Sequence, residues 1–175
     1  MKICLRPCGP DDEPFLYQVY ASTRRDEMAA WGWNEPQQEA FLRMQFNAQQ
    51  RAYEWQFPGA EHSIILCDES PAGRMIVFRN DAELRLTDIA LLPEYRSSGA
   101  GRFLVKELQA QAGASGLPLR LRVAKDNDGA RRLYERLGFS LTGESDTHFT
   151  MEWLPASKAE DAARADHDSE ATAEQ

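Results

Sequence analysis

Apolar residues recur along this chain at two spacings, and each change of spacing marks a change of element. Lys2 to Arg6 reads as a first strand. From Pro10 to Arg25, Phe15, Leu16, Val19 and Tyr20 follow helical spacing. So do Phe41, Leu42, Phe46, Ala52 and Tyr53 in a longer helix from Pro36 to about Trp55. Ser63 to Cys67 and Met75 to Arg79 predict two strands joined by the turn Asp68-Glu69-Ser70-Pro71-Ala72-Gly73. Leu84 to Leu92 predicts another strand, closed by Pro93. Phe103, Leu104, Leu108 and Ala112 then predict a helix that ends at Gly113. Leu117 to Val123 is a strand candidate. Ala130, Leu133, Tyr134 and Leu137 fall on one face of a further helix, stopped by Gly138. Phe139 to Thr142 and His148 to Trp153 predict a terminal antiparallel pair.

One junction in this pattern carries chemistry. Between the strand ending at Leu92 and the helix opening near Phe103 stands Arg96-Ser97-Ser98-Gly99-Ala100-Gly101. Such a strand-loop-helix junction points several backbone N–H groups one way, at the positive end of a helix dipole. Glycines at 99 and 101 remove the Cβ atoms that would hold a ligand away. The loop suits an anion, a phosphate above all. A P-loop would need Gly-Lys-Ser/Thr, but Gly101 is followed by Arg102-Phe103. A dinucleotide fingerprint would need a third small residue where Leu104 stands. By itself the hexapeptide also fits an ordinary glycine-containing turn.

A second segment, Asn127-Asp128-Gly129-Ala130-Arg131-Arg132-Leu133-Tyr134-Glu135-Arg136-Leu137-Gly138-Phe139, follows the next strand candidate. Asp126 or Asn127 can cap its helix by accepting from the first free amides. With Arg-x-x-Gly-x-Gly upstream and Asn-x-x-Ala-x-x-Leu-Tyr-x-x-x-Gly-Phe here, the chain resembles the GNAT superfamily of N-acetyltransferases. The resemblance covers Met1 to Leu154 and is specific from about Leu84 to Phe139. It implies the GNAT fold, a mixed α/β domain. The expected architecture is a twisted central sheet of about six to seven strands, splayed between the fourth and fifth, with about four flanking helices.

The resemblance also implies a site. Acetyl-CoA would lie with its pantetheine arm along Ile89, Ala90 and Leu91, pairing as an added strand does. Its pyrophosphate would sit on Arg96, Ser97, Ser98, Gly99, Ala100, Gly101 and Arg102. Asn127 matches the residue that contacts the cofactor arm. Tyr134 matches the general acid that protonates the departing thiolate, a role suited to a phenol whose ordinary pKa is about 10. The base is less defined. Where family members carry a glutamate, this chain has Arg85 and Arg122, which cannot accept a proton at neutral pH. Glu83, Asp88 and His148 are the remaining candidates, and a desolvated amine can react without a dedicated base. Asp88 fits a salt-bridged structural role equally well. In the loop before the second helix, Trp31 and Trp33 flank Gly32. They would either wall an amine pocket by cation–π contact or pack the loop onto the sheet.

The expected activity is transfer of an acetyl group from acetyl-CoA to a primary amine of a small molecule or peptide. The alternative is an acyl-CoA-binding module of the same fold with little turnover, serving as a sensor or interaction domain. Composition narrows the partners. The chain has 175 residues, enough for one substantial core. No apolar run reaches membrane-spanning length, and no apolar stretch after Lys2 reads as a secretory signal. Cys4, Cys8 and Cys67 lack Cys-x-x-Cys spacing, so reduced buried thiols in a cytoplasmic protein are expected. His62, His148 and His167 are too scattered for a metal site. A net charge of −8 does not favour nucleic acid. Half of it sits from Pro155 onward, where six acidic residues face Lys158 and Arg164. That alanine-rich stretch, 155–175, has no large apolar residue, so it is expected to be a disordered tail behind a domain spanning 1–154. A monomer or a homodimer is expected.

Overall fold

A computed structural model describes residues 1–158. Seven strands hydrogen-bond in the order β1-β2-β3-β4-β5-β7-β6. They are β1 (Ile3–Pro7), β2 (Glu61–Cys67), β3 (Ser70–Arg79), β4 (Leu84–Leu91), β5 (Leu119–Ala124), β6 (Ser140–Glu144) and β7 (His148–Trp153). The helices are α1 (Glu13–Ser22), α2 (Arg25–Ala29), α3 (Glu35–Gln56), α4 (Ala100–Ser115) and α5 (Asp128–Arg136), with 3₁₀ turns at Pro10–Asp12 and Pro93–Tyr95. Helices exceed the expected number because the segment read as one helix to Arg25 stops at Ser22 and restarts as α2. Thr23 and Ser22 turn their hydroxyls onto the carbonyls of Tyr20 and Val19, the local competition that ends helices. The chain forms two compact units.

The first unit holds Met1–Phe78 and Thr87–Gly101. β1 and β3 flank β2, both antiparallel to it. The turn between β2 and β3 is shorter than the six residues expected. It needs only Asp68 and Glu69, both left-handed at φ 47° and 69°, a geometry whose twist matches paired strands. The Lys2 amide donates to Asp68 Oδ1 at 2.7 Å and ties it to β1. Gly73 therefore lies within β3, where a Cβ would collide with the Ala90 carbonyl of β4. α3 starts on a capping box, with Asn34 and Gln37 side chains bonded to each other's amides at 2.9 and 3.1 Å. Its inner face brings Leu42 and Phe46 onto Leu16, Tyr17, Tyr20, Met28 and Ile64. Phe46 packs edge-on with Tyr17 and tilted against Tyr20, at 5.6 and 5.7 Å between centroids.

The second unit holds Arg79–Leu86 and the residues from Arg102 on. The start of β4 runs parallel to β5, Leu84 beside Leu119 and Leu86 beside Leu121. β7 pairs antiparallel with both β5 and β6. Leu104, Val105, Leu108 and Ala112 of α4 are buried as their spacing requires. α4 ends at Ser115 rather than Gly113: Gly116, at φ 64°, supplies the left-handed stop, and Leu117 N–H caps the Ala112 carbonyl at 2.9 Å. α5 ends on Gly138, at φ 87°, with Gly138 and Phe139 amides donating to the carbonyls of Glu135 and Tyr134. Pro155, where the tail was expected to begin, is buried, residues 156–158 are helical and exposed, and the rest of the expected tail lies outside the described residues.

Candidate active site

In the first unit the glycine loop is built as its composition predicts. After the Pro93–Tyr95 turn, Ser97 takes a left-handed φ of 57° and Gly99 one of 91°. The Ser98 hydroxyl donates to the Tyr95 carbonyl at 2.6 Å and accepts from the Ala100 amide at 3.4 Å. Arg96 braces the loop. Its Nε donates to the Leu91 carbonyl at 3.0 Å and its Nη2 to the Ser22 carbonyl and hydroxyl at 3.3 Å. Two residues expected on a phosphate, Arg96 and Ser98, thus also hold the loop in shape. The amides of Ala100, Gly101 and Arg102 open α4, where a helix has no carbonyls of its own to accept from them. A Cβ built on Gly99 or on Gly101 would meet nothing within 4 Å. For Gly99 the positive φ explains the glycine. Gly101 has neither an unusual φ nor a crowded neighbour, so the fold around it does not itself require a glycine. Ile89, Ala90 and Leu91 lead into the loop half-buried. A cleft of about 470 Å³ begins at the next residue, Leu92, and is lined also by Ser22, Arg25, Asp26, Glu94 and Arg96 among others.

In the second unit α5 carries its predicted pair. Asn127, not Asp126, is the cap, its Oδ1 accepting from the Ala130 amide at 3.1 Å. Tyr134 is buried, its ring 5.6 Å from that of Phe139. Arg102 is exposed on the first turn of α4.

The carboxylates weighed as bases are all engaged. In the second unit Glu83 accepts from Arg85 at 2.8 and 3.0 Å and from Arg120 at 2.9 Å, and Arg120 also reaches Glu152 at 2.6 Å. Burial alone would raise the Glu83 carboxyl, but the two arginines outweigh it and hold it below the usual range. In the first unit Asp88 Oδ2 receives Arg74 Nε at 2.6 Å. Arg74 was not singled out from the sequence. It is a charged residue inside the run from Ala72 to Val77, only 3% exposed, and gives its other donors to Gln50 and Gln49 of α3 at 2.9 and 2.6 Å. Beside it, burial pushes the Tyr53 phenol up and the His62 imidazole down. In the second unit His148 Nδ1 bonds Thr147 Oγ1 at 2.8 Å, and Arg122 lies 3.4 Å from Ser145 Oγ.

Trp31 and Trp33 pack edge-on to each other and to Phe41 of α3, at 5.3 to 5.7 Å between centroids. They stay 48% and 39% exposed. The loop is therefore not plugged into the sheet by these rings. Cys67 is buried and Cys4 and Cys8 are half-buried; all three are free thiols. Among the described residues no cluster of three His, Cys, Asp or Glu could hold a metal ion, and no helix is long and apolar enough to cross a membrane.

The sequence profile of the Acetyltransferase (GNAT) family matches residues 16 to 139, spanning both the glycine loop and α5. The chain belongs to this family, a family of acyltransferases. Among individual proteins it is 30% identical over 67 residues to the uncharacterized N-acetyltransferase CgeE of Bacillus subtilis (strain 168). That stretch is 38% of this chain and only 26% of that relative's length. The fold matches the PaiA N-acetyltransferase of Thermoplasma acidophilum, solved in complex with coenzyme A: TM-score 0.66, 19% identity, 88% of this chain and 99% of the other. An acetyltransferase of Thermus thermophilus matches with a TM-score of 0.63, at 19% identity over 88% and 97% of the two chains.

Proposed function

We propose that the protein is an N-acetyltransferase that moves an acetyl group from acetyl-CoA to a primary amine. The observation that carries this reading is the open space around Gly99 and Gly101 on a loop whose amides open a helix. Family membership and the coenzyme A bound to the Thermoplasma relative support it. Ser97 to Arg102 offer backbone N–H groups to a pyrophosphate, and Ile89 to Leu91 offer strand edges to a pantetheine amide. Asn127 spends Oδ1 on its cap and keeps its amide NH₂ for the ligand. Acetyl-CoA supplies the acetyl group as an activated thioester. Tyr134 Oη holds a proton for the sulfur that leaves, and the neutral amine attacks directly.

A second reading, an acyl-CoA-binding module with little turnover, has one specific observation behind it. Glu83 and Asp88 are both locked onto arginines, so neither carboxylate stands ready as a base. An amine that sheds its proton on desolvation reconciles that observation with turnover.

Acetyl-CoA should raise the melting temperature by ligand linkage, and ATP or NADH should not do so comparably. Gly101→Val should remove that shift at little cost to the apo protein, because its Cβ meets only open space. An equal shift from ATP would overturn the assignment. Tyr134→Phe should keep the acetyl-CoA shift and lower kcat about tenfold to a hundredfold, measured as thiol release against a panel of polyamines, aminoglycosides, amino acids and peptides. No thiol release with any amine would favour the binding module.

A further inference from the structure

The backbone of β3 is irregular at one point. Ile65 of β2 lies opposite Gly73 and Leu66 opposite Pro71, so Ala72 is an extra residue with no partner of its own on β2. An inserted residue of this kind is a β-bulge; it bends its strand, and such bends re-aim groups beside functional sites. Gly73 follows it, buried, and its φ is not positive. Backbone freedom therefore does not account for this glycine. Space does. A Cβ at position 73 would stand 2.1 Å from the Ala90 oxygen and 3.0 Å from Leu91 Cα, both of β4. Those atoms are backbone, so no change of rotamer could make room.

The crowded atoms belong to the segment read as the seat of the pantetheine arm, and the crowding fixes which way that segment faces. The Ala90 carbonyl is directed at β3, and the peptide bonds are trans, so the Leu91 N–H points away from β3. The next amide agrees. Leu92 N–H donates to the Ala72 carbonyl at 2.9 Å, and successive amides of a strand point to opposite sides. The register of β4 with β5 covers Leu84, Arg85 and Leu86 and stops there. The Leu91 carbonyl already accepts from Arg96 Nε at 3.0 Å, which leaves the Leu91 N–H to a ligand. We infer that Gly73, with the bulge at Ala72, is a positioning residue for the acyl-CoA arm. From one strand behind the site, it lets the Ala90 carbonyl lean in and so turns the Leu91 N–H outward. The inference rests on the reading of Ile89 to Leu91 as the strand edge that takes the arm. A side chain at 73 would push this peptide aside and move the donor.

Isothermal titration calorimetry on the full chain tests this with two ligands: coenzyme A, and adenosine 3′-phosphate 5′-diphosphate, which is coenzyme A without its pantetheine arm. Gly73→Ala should weaken coenzyme A about tenfold or more, the scale of a misplaced hydrogen bond, and leave the armless ligand unchanged. Phe46→Leu, a core substitution, should lower the melting temperature and change neither affinity. Replacing Leu91 by its α-hydroxy acid deletes the N–H and keeps Gly73. It should give the same selective loss, and this arm of the test holds even where Gly73→Ala does not fold. The two changes together should lose no more than either alone, because one acts through the other. Gly73→Ala losing both ligands equally, or neither, would overturn the inference and leave the acetyl-CoA reading standing. So would a Leu91 ester that binds coenzyme A as the parent does. A parent chain that binds coenzyme A no better than the armless ligand would overturn the reading of the arm's seat, and the inference with it.

Discussion

Charge gathers at two places along β4, and the two clusters are built differently. At the strand's start, Glu83, Arg85, Arg120 and Glu152 form a balanced network of two carboxylates and two guanidiniums, contributed by strands and their flanks. Water reaches it, since the Arg120 side chain is 39% exposed. Further along, Asp88 is the one counter-charge for Arg74 among the described residues; the Arg74 side chain is 4% exposed and its remaining donors meet neutral glutamines of α3. A network with several members and access to water loses little when one is removed. A buried cation with a single carboxylate loses most of its compensation at once. A carboxylate near the candidate site is not thereby a base. Both acidic groups, Asp88 on β4 and Glu83 just before it, are spent on arginines.

The largest effect should come from Asp88→Ala. Leaving Arg74 buried without its counter-charge should cost about 3 kcal/mol in urea unfolding. Asp88→Asn, which keeps a hydrogen-bond acceptor, should cost less. If either variant instead kept full stability while kcat fell a hundredfold and its pH profile lost a limb, Asp88 would be the base and the comparison would break. Glu83→Gln should follow, at about 1 to 2 kcal/mol near neutral pH, moderated by solvent. Its folded carboxyl lies below the ordinary value of 4.5, so the stabilisation is present above that value. It is lost as the pH falls through the folded value. The stability gap between Glu83→Gln and the parent should therefore narrow below about pH 4.5, seen as converging melting temperatures. A gap independent of pH would mean that shape, not charge, holds the first cluster. Arg122→Ala should do least, within about 0.5 kcal/mol, because an exposed guanidinium 3.4 Å from one hydroxyl contributes little. A large loss of turnover there would show that Arg122 has a task of its own.

Most of the strands and helices were legible, because their spacing is a local property that burial of one face enforces. The misses are local contests won by tertiary context. Gly113 read as a helix stop, yet α4 runs on past it, with the Trp153 ring 3.7 Å from where a Cβ would stand. Gly73 read as part of a turn, yet it lies within β3 because the backbone of β4 passes too close for a side chain. Trp31 and Trp33 read as a plug or a pocket wall; they found Phe41, one ring in a helix that the loop precedes.

By itself the sequence determined the family and the strand-loop-helix form of the glycine segment. A positive φ and a capping asparagine depend on a few adjacent residues and survive in any register of the fold. Which charges pair was decided only by the tertiary structure. Arg74 and Asp88 stand 14 residues apart, and Arg120 and Glu83 stand 37 apart. Nothing local distinguishes a carboxylate that will meet an arginine from one left free for a proton. That choice is made by strand order and by the face of α3 laid against it, through contacts whose energy exists only after the chain has closed on itself.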